Sequence, residues 1–161
     1  MNHIFRNYFV LLSAGIFYLS DGTQVVANTI IDGKRWMSYN VGASESDLYG
    51  SRYTYYNAQT SCPSGWRLPT QGELVSLIAN YSGWTTYLEM SGRWFSGSQA
   101  YSPNVSAIFL PTLSSSASMG GYWSSTEKDG SHAFYLGFRS AFVGVYGDVR
   151  SYECSVRCLK D

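Results

Sequence analysis

The sequence predicts an α+β domain with two short helices and a β-rich C-terminal half. Three observations carry that reading. Thr70-Gln-Gly-Glu73 is a capping box, and the apolar stripe Leu74, Leu77 and Ile78 follows it at helical spacing. Asp32-Gly33, after the β-branched run Gln24–Ile31, is a hairpin turn. Ala133 to Arg139 alternates as a strand does: Phe134, Leu136 and Phe138 share one face, Tyr135, Gly137 and Arg139 the other.

The remaining elements follow in chain order. Gln24 to Ile31 is β-branched and leads into the Asp32-Gly33 turn; Lys34 to Asn40 returns as its partner, with Trp36 inward. Tyr53, Tyr56 and Gln59 predict a short helix over 53–60, and the capped helix runs from Thr70 to the stop at Tyr81-Ser82-Gly83. Arg93–Ser96 and Ser106–Leu110 are short strands, the second stopped by Pro111, and Leu113–Gly121 is a Ser/Gly loop. Tyr122-Trp123-Ser124 opens another strand, and Ser151 to Lys160 closes the chain as a final one. Trp36, Trp66, Trp94 and Trp123 are assigned to the core, and Arg157 is expected to pair with Glu73 or Glu127.

The apolar run Tyr8–Leu19 reads two ways. It is either a buried strand ended by Ser20-Asp21-Gly22, or a signal peptide with a cleavage-like Val25-Val26-Ala27. Residues 1–20 stay open between strand and leader. Twelve residues are too few to span a membrane. With no repeat or linker in view, residues 1–161 are expected to form one domain.

Net charge is zero and the pI about 6.7, so no basic field invites nucleic acid. Charged residues make up only 14%, while Tyr and Gly are abundant; Tyr, Ser and Gly are the residues with which antibody paratopes build adaptable contact area. The chemistry of catalysis is hard to find. Only His3 and His132 are present, and there is no nucleophile elbow, phosphate loop or carboxylate pair, so the chain does not read as an enzyme. No cofactor or metal set is expected. The three cysteines fit neither a zinc ribbon nor a Cys-x-x-Cys motif. In an exported chain they imply one disulfide, Cys62–Cys158, because both sit in phrases that read as structural, leaving Cys154 a free thiol.

The stretch from Asp129 to Cys154 is compositionally odd. It holds no Lys, Gln, Met, Trp or Asn and a single Glu, Glu153, yet it is not repetitive. It reads as a surface whose side chains vary while its backbone stays put, which describes a binding face.

The phrases Cys62-Pro-Ser-Gly-Trp-Arg-Leu-Pro-Thr70, Tyr122-Trp-Ser-Ser-Thr-Glu127 and Ser155-Val-Arg-Cys158, with Gly33-Lys-Arg-Trp-Met37, Asn40 and Tyr49-Gly50 before them, resemble the Fibrobacter succinogenes major paralogous domain over about residues 22 to 161. That resemblance implies a C-type lectin-like fold and export. It also resembles the variable proteins of diversity-generating retroelements. In those proteins template adenines are miscopied, so that an AAC codon becomes any codon ending in C, and such codons encode neither Met, Lys, Gln, Glu nor Trp. The depletion fits that filter, Glu153 apart, and this chain carries Gly137, Arg139, Ala141, Phe142, Val145, Tyr146 and Asp148 where the family shows Asn or Ser. The lectin calcium phrases are not matched: Ser102-Pro-Asn104 and Trp123-Ser-Ser125 stand in their place.

The expected function is therefore ligand binding by a diversified surface made of Ser131, His132, Gly137, Arg139, Ala141, Phe142, Gly144, Val145, Tyr146, Asp148 and Tyr152. The expected partner is a protein or glycan on a cell or phage-host surface, with the chain exported to a cell surface or carried on a phage particle. Oligomers are compatible with this reading. The alternative is a structural or adhesive subunit of a surface assembly, in which the same residues pack against neighbouring copies.

Overall fold

The computed structural model describes residues 8–13, 15–19 and 21–161. The first seven residues, part of the segment left open between strand and leader, lie outside the described residues. The apolar run forms two strands, β1 (Tyr8–Ser13) and β2 (Ile16–Leu19), and β2 pairs onward with β3 (Gln24–Val26), antiparallel throughout. None of the described helices is long and apolar enough to cross a membrane.

The α+β expectation, and with it the C-type lectin-like fold, is not what the structure supports. The described residues are mostly β, in four three-stranded antiparallel sheets, and the two helices are short. Helix α1 (Tyr55–Ala58) has four residues and α2 (Gln71–Leu77) has seven. The capping box at Thr70 is real: its hydroxyl accepts from the Glu73 N–H, and the Glu73 carboxylate accepts from the Thr70 N–H. The helix stops at Ile78, however, well short of Tyr81. Only Leu74 and Leu77 are fully inside, and Val75 points out, so the apolar stripe supports two turns and no more.

Asp32 and Gly33 both take positive φ, as the two-residue turn requires, joining β4 (Asn28–Ile31) to β5 (Lys34–Met37). Trp36 is buried from β5. Strand β12 (Leu159–Lys160) adds to the other side of β5. A second sheet is built from β6 (Thr85–Tyr87), β7 (Met90–Phe95) and β8 (Ile108–Pro111). Pro111 ends inside β8 rather than before it. The third sheet has the order β11–β10–β9 and is made from β9 (Gly120–Glu127), β10 (His132–Phe138) and β11 (Val143–Val149). Of residues 151–160, expected as one strand, 151–153 are exposed, 154–158 thread through the interior, and only Leu159–Lys160 pair as a strand. Cys154 to Leu159 are all buried; Cys154 and Leu159 each exchange two main-chain bonds, with Tyr53 and Arg67 respectively, and the residues between bond to Gly121, Trp123, Val41 and Met37.

The β9–β11 sheet separates two cores. On one side α2 packs Leu74 and Leu77 against Tyr122, Leu136 and Phe138, with Phe95, Leu110 and Trp36 beneath. On the other, Trp123, Ala133 and the edge of Tyr135 meet Tyr55, Val156 and the Cys62–Cys158 disulfide, whose Cα atoms stand 5.9 Å apart. Trp66 and Trp94 are only part-buried; Lys160 lies over the Trp66 ring and Tyr87 against Trp94.

Arg157 finds no carboxylate. It is buried and donates to Asn40 Oδ1 and to the carbonyl oxygens of Met37 and Phe109. Burial pulls its guanidinium down to about 10. The ion pair belongs to Arg67 instead, which grips Glu73 with both arms at 2.7 and 2.8 Å. That fork is the main reason the Glu73 carboxyl sits down at about 2.

Candidate ligand-binding face

Residues 132–149 fold into one hairpin. Strand β10 pairs with β11 without a register shift, from His132↔Val149 to Phe138↔Val143. Directly opposed residues share a face, so Tyr135 with Tyr146, Gly137 with Gly144 and Ala133 with Asp148 look one way. Leu136 with Val145 and Phe138 with Val143 look the other, into the core under α2.

The first face carries the aromatic residues. The Trp123, Tyr135, Tyr146 and Phe142 rings meet in sequence, centroid to centroid at 6.0, 6.2 and 6.0 Å. Trp123 is wholly buried and Tyr135 half-buried, whereas Tyr146 and Phe142 are each 42% exposed. The row thus climbs from the core to solvent. Burial, then the Asp148 carboxylate, with Cys154, Tyr152 and Tyr146 adding smaller contributions, pushes the Tyr135 phenol up to about 12. Tyr152, just beyond the hairpin, is 41% exposed. Arg139 continues the alternation past Gly137 and lays its Nη2 3.6 Å from Met119 Sδ.

The other expected residues are placed differently. Val145 is on the core face, packed part-buried beside Leu136, because strand alternation puts it opposite Tyr146. Ser131 and His132 lie at the far end of the hairpin, about 20 Å along the strand from Phe142. There the Asp129 carboxylate accepts from both of their backbone N–H groups and lies 2.9 Å from His132 Nδ1, so they build a turn. Those bonds hold the Asp129 carboxyl well below the usual range. Gly137 is buried, and a Cβ there would stand 2.9 Å from the Tyr135 ring; Gly144 lies beneath the Tyr146 ring. Ala141 sits exposed in the turn at the hairpin tip.

The backbone of this segment is held by groups other than the exposed side chains. At the tip, the buried Arg93 of β7 donates to the carbonyl oxygens of Arg139 and Ser140, at 3.1 and 2.8 Å. At the other end Arg150 donates to the carbonyl oxygens of Asp129 and His132 and lies over the Tyr55 ring. No residue from 131 to 152, its three glycines included, has a positive φ. Backbone φ therefore demands no glycine, although a Cβ at each of the three glycines would displace a neighbouring side chain. Two of the close approaches at those glycines involve far ends of long side chains, Tyr146 at Gly144 and Lys128 at Gly147.

Arg93 and the β11 strand were not found from sequence. Only the spacing of Val143, Val145 and Val149 signalled the strand, and nothing local marks Arg93. Burial pushes the Cys154 thiol well above its usual range, which makes it a poor nucleophile. Among the described residues no three His, Cys, Asp or Glu side chains are grouped to hold a metal ion.

No family model, curated protein or solved structure matches the chain.

Proposed function

We propose that the outward face of the β10–β11 hairpin, with Tyr152, is a ligand-binding surface whose side chains are diversified on a constant backbone. This is the arrangement of retroelement variable proteins, in a chain related to the Fibrobacter succinogenes major paralogous domain. The observation that carries the reading is the Phe142–Tyr146 pair: two exposed aromatic rings in edge contact, on a hairpin whose main chain nowhere takes a positive φ. Aromatic and arginine side chains dominate binding hot spots, and Phe142, Tyr146, Tyr152 and Arg139 supply four on one surface. The ligand is a protein or glycan of a cell or phage-host surface, and the chain is exported.

The test is in the surrounding DNA. A repeat that differs from the codons for residues 120–158 only where it has adenines supports the reading. A complete intergenic sequence without such a repeat contradicts diversification and leaves an ordinary adhesive surface.

A further inference from the structure

Among the described residues the outer edge of β11 is unpaired, and the geometry points to a second copy of this chain as its partner. The hydrogen bonds from Arg139 N–H to Phe142 O and from Arg150 N–H to Ser131 O fix the alternation along the hairpin. Gly144, Tyr146 and Asp148 bond inward to β10. Val143, Val145 and Gly147 aim their N–H and C=O groups outward, and among the described residues nothing bonds to them. Val149 is different: its N–H reaches the Asp148 carboxylate and its C=O accepts from Tyr152. The edge thus presents six free groups on three residues and stops there.

Native edge strands are blunted by lysine, proline or a bulge. Strand β11 carries none of these within its length, pairs without a bulge, and has one charge, Asp148. The Lys128 stem lies over Gly147 from the neighbouring turn.

One antiparallel register of β11 with itself satisfies all six groups. Centred on Val145, it exchanges two bonds between the Val145 residues and two at each Val143–Gly147 pair. It also sets Tyr146 opposite Gly144 and Phe142 opposite Asp148, so a large residue faces glycine and the only charge of the strand never meets its like. Centring on Tyr146 instead would pair Val143 with Val149, whose groups are already taken. The net charge of zero opposes association of two copies no further. The product is a six-stranded sheet that carries both aromatic faces on one side. This proposal rests on main-chain geometry and stands whether or not the face is diversified.

The experiment is sedimentation equilibrium of the full chain, with the disulfide intact, from micromolar to several hundred micromolar. A monomer–dimer equilibrium is expected, and Val145→Pro, which removes an outward N–H from each copy at some cost to the packing beside Leu136, should weaken it about tenfold. Register is read separately by oxidation of single cysteine variants. Val145→Cys should give a disulfide-linked dimer, because directly opposed residues stand about 5.5 Å apart; Val149→Cys should not. A chain that stays monomeric throughout overturns the proposal. So does a dimer that cross-links equally at both positions, or an edge that pairs only with an added extended peptide.

Discussion

Arg93 Nη2 lies 3.1 Å from the carbonyl oxygen of Arg139, joining the second sheet to the tip of the hairpin that carries the candidate face. The same guanidinium donates to the Ser82 carbonyl oxygen at 2.7 Å and stacks over the Tyr81 ring. The contact is to main chain, so it survives any change of side chain at the tip.

Replacing Arg93 by Leu leaves the buried Ser82 carbonyl oxygen and the part-buried ones of Arg139 and Ser140 without this donor. Unfolding in urea should show a loss of about 3 kcal/mol. Hydrogen exchange should show the Arg139 amide losing protection before the middle of β10. An Arg93→Leu protein with unchanged stability would mean the tip is held by something else.

Neighbouring residues on β11 should answer differently to one substitution. Tyr146→Asn removes an exposed ring and should cost about 1 kcal/mol or less, chiefly its contact with Tyr135. Val145→Asn puts an amide beside Leu136 and should cost about 2–3 kcal/mol. Leu136→Ala should cost about 2–5 kcal/mol through the cavity it leaves. Equal effects at 145 and 146 would show that the faces are assigned wrongly.

The Arg67–Glu73 fork makes a prediction about acid. The Glu73 carboxyl is held down at about 2 in the folded chain, against 4.5 when free. Its contribution is present above about pH 4.5 and is lost as pH falls from there toward 2. Thermal melting between pH 6 and pH 2.5 should fall more steeply for the parent than for Glu73→Gln. Parallel curves would remove the fork from the acid response.

Native Cys154 should resist iodoacetamide at pH 8 and react once the chain is unfolded, since it is buried and its thiol is shifted up. Alkylation at the rate of a free thiol in the folded protein would mean that the region around Gly121 and Cys154 opens.

Local chemistry was legible in the sequence wherever it is self-contained. The Thr70–Glu73 box, the Asp32-Gly33 turn and the alternation of β10 each depend on residues within a few positions. Strand β11 was hidden because Gly144 and Gly147 break its pattern, although Val143, Val145 and Val149 keep the period. Residues 154–158 read as a strand, but every one is interior, Ser155 and Arg157 included, and their main chain bonds to Tyr53, Gly121, Trp123, Val41 and Met37 rather than to one partner strand. The α+β class failed on helix length, which an apolar stripe of three residues does not fix. Arg157 and Arg93 were beyond reach, since a buried arginine bound to carbonyl oxygens leaves no complementary charge to find.

The central claim is that the hairpin backbone is indifferent to its outward side chains. The direct measurement is protease resistance of two libraries built with codons ending in C. One randomises Arg139, Ala141, Phe142, Tyr146, Asp148 and Tyr152; the other randomises Tyr122, Phe134, Leu136, Phe138, Val143 and Val145. Most members of the first library should resist as the parent does, and few of the second. Equal survival in the two, or collapse of the first, would contradict the account.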